Sequence, residues 1–104
     1  MEIDYHTAMS DTPALSIADF QRFIRDRYYE TDNARGTPGT FMWFVEEIGE
    51  LATALHGDDR ANIHEEFADV LAWLATLANI NGVDLEEAIR QKYFTDGGPQ
   101  GVKH

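Results

Sequence analysis

The chain has 104 residues, 43% of them apolar and 26% charged, with a formal net charge of −11 and no cysteine. That length predicts one domain with a modest core, which self-association would enlarge. The composition excludes disulfides, thiolate metal sites and cysteine nucleophiles, and eight Lys and Arg without a basic cluster argue against nucleic acid as a partner.

No run approaches the roughly 20 apolar residues of a membrane span, and the opening MEIDYHTAMSDTP has neither the basic start nor the apolar centre of a secretory signal. A cytoplasmic location is therefore expected. Residues 1–15 show no sustained periodicity and read as a mobile arm, 16–96 as the helical domain, and 97–104 as a flexible tail. Helix one is expected to start at Ser16, an N-cap with Asp19 three residues on, and to reach Tyr28 with Ile17, Phe20, Ile24 and Tyr28 on one face. Glu30 to Gly39, polar and carrying Gly36, Pro38 and Gly39, reads as a loop.

Helix two is predicted from Phe41 to Leu55, with Phe41, Phe44, Val45, Ile48, Leu51, Ala52 and Leu55 at amphipathic spacing. Helix three is predicted to open at Asn62 with Glu65 as capping partner and to run to Ile80, burying Phe67, Val70, Leu71, Leu74, Leu77 and Ala78 before Asn79 to Gly82 stop it. A shorter helix follows, capped by Asp84 with Glu87 three residues on, until Gly97-Gly98. With no strand alternation, the expected fold is all-α: a four-helix-bundle type with three main helices and a shorter C-terminal one, completed by oligomerisation.

Two acidic clusters carry the chemistry, Glu46-Glu47-Ile48-Gly49-Glu50 and, after fifteen intervening residues, Glu66-Phe67-Ala68-Asp69. Residues three or four apart share a helix face, so Glu47 pairs with Glu50 and Glu66 with Asp69. Beside its apolar stripe helix two carries Trp43, Glu47, Glu50 and Ala54, and helix three carries Glu66, Asp69, Trp73 and Thr76. Antiparallel packing is expected to bring four carboxylates together at one edge of the bundle while the aliphatic stripes meet inside. No Lys or Arg stands three or four residues from these acids, so ordinary helix ion pairs do not explain them. Oxygen ligands with negative charge select a hard cation, Mg²⁺ or alternatively Mn²⁺. Glu46 points farther from the apolar stripe and reads as a surface or supporting residue.

A di-iron bundle would want Glu-x-x-His on two helices, and no histidine here lies three residues after a Glu. His56 and His64 flank the turn between helices two and three and read as cap or surface groups.

The segment from Phe41 to Tyr93, with EEIGE followed by EFAD, resembles the MazG-like family of all-α nucleoside triphosphate pyrophosphohydrolases, whose signature is EExxE and then ExxD. The resemblance implies that Glu47, Glu50, Glu66 and Asp69 are metal ligands. It implies hydrolysis between the α and β phosphates, giving nucleoside monophosphate and pyrophosphate, by a dimer or tetramer. Glu50 is the candidate to orient or deprotonate the attacking water beside the ligand Glu47, and Lys92 or Arg90 to stabilise the leaving pyrophosphate. Arg90, Lys92 and Tyr93 lie where the family carries substrate contacts. Trp43 and Trp73 are candidates to stack on the nucleobase; packing in the bundle or subunit interface is the commoner use of tryptophan, and both uses stay open. The alternatives are a phosphoribosyl-ATP pyrophosphohydrolase of the same superfamily and a non-catalytic cation-binding helical dimer.

Overall fold

In the computed structural model, which describes residues 14–95, the backbone forms three α-helices and, among the described residues, no strand. These are α1 (Ile17–His56), α2 (Arg60–Ile80) and α3 (Leu85–Tyr93). Most of the expected N-terminal arm and all of the expected C-terminal tail lie outside the described residues.

Ser16 starts α1 as the spacing predicts. Its hydroxyl accepts from the Asp19 amide at 2.9 Å and the Asp19 carboxylate accepts from the Ser16 amide at 3.5 Å, a reciprocal capping box. The expected end at Tyr28 and the loop over 30–39 are both corrected. Helical backbone continues to residue 35, leaves helical angles at Gly36 alone (φ 82°, ψ 171°), and resumes at 37. One left-handed residue suffices to redirect the chain, and glycine takes that conformation without a Cβ clash. Pro38 is tolerated because the first amides of a helical segment have no intrahelical partner to lose. Helices one and two of the sequence reading are thus two arms of α1, residues 17–35 and 37–56.

Gly57 closes α1, and the cap of α2 is Asp59, whose carboxylate accepts from the Asn62 amide at 3.2 Å. The cap therefore falls three residues before the expected Asn62, because an acid one turn upstream satisfies the amide that Asn62 itself exposes. At its other end the Val83 amide reaches the Ala78 carbonyl (2.9 Å) and the Gly82 amide the Asn79 carbonyl (3.3 Å), with Gly82 at φ 69°. That is a Schellman stop, placed where the sequence predicts one. Asp84 caps α3 through the Glu87 amide at 3.0 Å. The helix ends at Tyr93, short of the expected Gly97-Gly98.

The short turn makes the second arm of α1 and α2 antiparallel neighbours. Along their seam the less exposed positions recur at heptad spacing: Thr40, Phe44, Glu47, Leu51 and Ala54 on one side, Ile63, Glu66, Val70, Trp73, Leu77 and Ile80 on the other. The fully buried apolar residues are few and mostly small: Ile24, Ala54, Ile63, Ala75 and Ala78. Phe41, Val45, Ile48 and Leu55 on α1, with Phe67, Leu71 and Leu74 on α2, are exposed.

The expected arrangement, in which the aliphatic stripes meet inside and the acids sit at an edge, holds in part: Phe44, Leu51, Val70 and Leu77 turn inward, and Glu50 and Asp69 are exposed at the edge. The correction is that Glu47, Glu66 and Trp73 share the seam with those aliphatic residues, while the rest of each aliphatic stripe, Phe41, Val45, Ile48 and Leu55 on α1 and Phe67, Leu71 and Leu74 on α2, faces outward. Along the second arm a single chain supplies only one long neighbour, so only part of each aliphatic stripe can be covered.

The first arm packs across the C-terminal end of α2 and the start of α3 through one polar node. Gln21 donates from Nε2 to Asn79 Oδ1 (3.0 Å) and the Val83 carbonyl (2.7 Å), and its Oε1 accepts from the Leu85 amide (2.9 Å). Asn79 Nδ2 returns a bond to the Gln21 carbonyl at 3.2 Å. Beside it, Glu86 accepts from the Ala18 amide at 2.9 Å.

Candidate metal centre

Helix periodicity places Glu47 one turn after Trp43, and Glu66 and Asp69 before Trp73, so the antiparallel seam brings the two sets opposite each other. One carboxylate oxygen from each of Glu47, Glu66 and Asp69 lies within 4.8 Å of the other two. Oxygens bound to one Mg²⁺ at about 2.1 Å are at most about 4.2 Å apart, so small side-chain rotations close the group around an ion. Glu47 and Glu66 are half-buried and Asp69 is exposed, leaving the site open on one side.

Glu47 Oε2 and Glu66 Oε1 are buried and have no hydrogen-bond partner. Buried carboxylate oxygens without donors are costly, and among the described residues no ion pair reaches any of the acids in the two clusters. Burial, then the negative charges of Glu50, Asp69 and Glu66, hold the Glu47 carboxyl above the usual carboxylate range. A divalent cation fits this set chemically, since it supplies the charge and the oxygen coordination that the protein withholds.

Glu50 is exposed and stands outside the three-oxygen group, although its charge acts on Glu47. Glu46 is exposed, as its angle on the helix predicts. His64 donates from Nδ1 to the Arg60 carbonyl (2.8 Å) in the first turn of α2, and His56 lies exposed in the last turn of α1. Both fit the cap or surface reading.

Trp43 and Trp73 stack across the seam, ring centroids 6.2 Å apart and planes 14° from parallel. Trp43 keeps about half its surface exposed (49%), so the pair is part of a wall beside the acids rather than buried filling. Sequence reasoning missed what lies behind it. The Arg35 guanidinium sits over the Trp73 ring at 5.0 Å, donates to Asp32 Oδ1 at 2.6 Å and, through Nε, to Thr40 Oγ1 at 3.0 Å. The three-residue spacing of Asp32 and Arg35 was the available signal, hidden by reading that stretch as loop.

The expected phosphate and substrate contacts on α3 are not brought to the acids within one chain. Arg90 is exposed and pairs with Glu86 (3.1 Å) and Glu87 (3.8 Å). Lys92 is exposed and Tyr93 stands at the helix end. The helix bearing all three follows the end of α2 at Ile80, eleven residues or about 16 Å of helix beyond Asp69, and packs against the first arm of α1.

The sequence profile of the MazG nucleotide pyrophosphohydrolase domain matches residues 37–93, which hold the second arm, α2 and α3. The chain belongs to this family. The MazG match begins just after the Gly36 break and includes all three clustered carboxylates and both tryptophans. A similar protein, the dATP/dGTP diphosphohydrolase of Cyanophage S-2L, is 39% identical over 77 residues, 74% of this chain and 70% of the relative. Together the MazG domain and this relative support a nucleotide pyrophosphohydrolase activity. Among the described residues no helix is long and apolar enough to cross a membrane.

Proposed function

We propose that this MazG-family chain hydrolyses nucleoside triphosphates to monophosphate and pyrophosphate with Mg²⁺, or Mn²⁺ in its place, held by Glu47, Glu66 and Asp69 and assisted by Glu50. The observation that carries the reading is the pair of buried, unpartnered oxygens on Glu47 and Glu66 inside a three-carboxylate group. Because the phage relative is named for dATP and dGTP, purine deoxynucleoside triphosphates are the first substrates to expect, as housekeeping of the nucleotide pool in the cytoplasm.

A divalent cation bound there neutralises triphosphate charge and makes a bound water more acidic. The chain's residues supply the rest. Glu50, exposed beside Glu47 and outside the three-oxygen group, is free to orient the attacking water and accept its proton. The water oxygen bonds to the α phosphorus as the bridging oxygen leaves with pyrophosphate. The Trp43–Trp73 wall offers an aromatic face to the base at the same end of the seam.

Cationic help for the leaving group is not adjacent to the acids in one chain, and a band of large aliphatic and aromatic side chains lies exposed on α1 and α2. Exposed apolar patches of this kind mark association surfaces. Self-association as a dimer or tetramer covers the band and gives Arg90, Lys92 and Tyr93 a route to a neighbouring subunit's acids.

A nucleotide panel with Mg²⁺ tests the reading. Pyrophosphate release from dATP or dGTP, lost on chelation, supports it. Orthophosphate as the product, phosphoribosyl-ATP as the one substrate turned over, or no turnover with either metal would overturn it.

A further inference from the structure

Resting on the proposal that the tryptophan wall receives the base, we infer that Arg35 is a positioning residue: by tying Trp73 to the helix break it locks the indole that backs Trp43, whose half-exposed ring is the base platform. Four observations converge on this side chain. Its guanidinium covers Trp73 at 5.0 Å, and Trp73 in turn stacks on Trp43. It bonds to Asp32 before the break and to Thr40 after it, so it spans Gly36. Both anchors are buried, Asp32 at 6% and Thr40 at 0% exposure. Finally, a Cβ on Gly39 would come within 3.0 Å of Arg35 Cγ, so the second glycine of the segment keeps open the path along which the side chain lies.

The physical case rests on geometry that only arginine offers. A planar fork holds two acceptors in fixed directions while its flat face stacks on an indole; an ammonium is a point charge and does neither together. Asp32 Oδ2 has no partner, so the Arg35 bond is what compensates the buried carboxylate. That makes the ion pair hard to break in the folded state. The first arm, lying outside the matched MazG segment, thereby reaches into the site without touching the acids.

The test compares wild type, Arg35→Lys, and the charge-neutral double variant Asp32→Asn with Arg35→Gln, which leaves no uncompensated buried charge if the single variant fails to fold. Exposed Arg22, paired with Asp19 at the far end of the arm, supplies Arg22→Gln as control. One readout needs no activity: the exciton couplet of the stacked tryptophans in circular dichroism of the folded proteins. The other is the split between KM and kcat on dATP and dGTP. The expected result is a weakened couplet and a KM raised about tenfold, with kcat within about twofold, in both Arg35 variants and not in the control. An unchanged couplet overturns the lock, and an unchanged KM overturns its role in base binding. A fall in kcat alone would instead assign Arg35 to the phosphates. If wild type releases no pyrophosphate from any triphosphate, the proposed function fails, while the couplet still decides whether Arg35 holds the tryptophan pair.

Discussion

Two of the polar clusters in the helix packing, the Gln21–Asn79 node and the acidic group, differ in one respect that separates structure from chemistry. At the Gln21–Asn79 node the two side-chain amides and the Val83 and Leu85 backbone groups they reach are hydrogen-bonded. At the Glu47–Glu66–Asp69 group, carboxylates face each other across the seam with two buried oxygens unpartnered and no cationic residue paired with them. A satisfied network rigidifies a fold by itself. An unsatisfied one of like charge is relieved by a proton or by a cation, and the MazG membership is consistent with a cation and its nucleotide.

The comparison breaks most visibly if the acids are altered. Glu47→Gln or Glu66→Gln is expected to lower pyrophosphate release on the order of a hundredfold or more, while the melting temperature of the metal-free protein rises, because an amide donor replaces one of the repelling charges. A variant with wild-type turnover would remove that residue from the site. The opposite pattern is expected at the node. Gln21→Ala leaves the Val83 carbonyl and the Leu85 amide without partners and costs about 2 kcal/mol, roughly a 10 °C fall in Tm for a domain this size, while kcat of the folded fraction stays unchanged.

A smaller effect falls between the two regions. Gly36→Ala forces a Cβ into φ 82° and is expected to cost about 1 kcal/mol, read by urea denaturation, with no like penalty at Gly49, which is helical and has open space around it.

The gentlest contrast is with pH. Because the folded-state pKa of Glu47 is raised, its protonated form favours the native state: stability from this group is full below the unfolded pKa and is lost as pH rises through the raised value. Metal-free protein should therefore denature more easily as pH climbs from mild acid towards neutrality, and Mg²⁺ should flatten that slope. A metal-free stability that increases over the same window would contradict the arrangement of the acids.

What the sequence determined by itself is everything that depends on neighbours one turn apart. The Ser16 and Asp84 caps, the stop at Gly82, the pairing of Glu47 with Glu50 and of Glu66 with Asp69, and the family resemblance were all legible because their physics is local to three or four residues. The segment from 30 to 39 misled for a local reason too. Its two other breakers, Pro38 and Gly39, fit helical geometry at their positions, and only Gly36 requires a left-handed backbone.

Tertiary structure alone decided which residues of each stripe of α1 and α2 turn inward. Rotation of one helix about its axis changes no local contact, so periodicity offers two apolar-flanked stripes without ranking them. The seam took residues of both, Phe44, Glu47 and Leu51 from one helix and Glu66, Val70 and Trp73 from the other. The same decision placed Arg35, from a stretch that reads as loop, behind Trp73, and kept α3 away from the acids: both outcomes depend on where the chain goes after Gly36 and Gly82, a long-range matter that no one-turn pattern encodes.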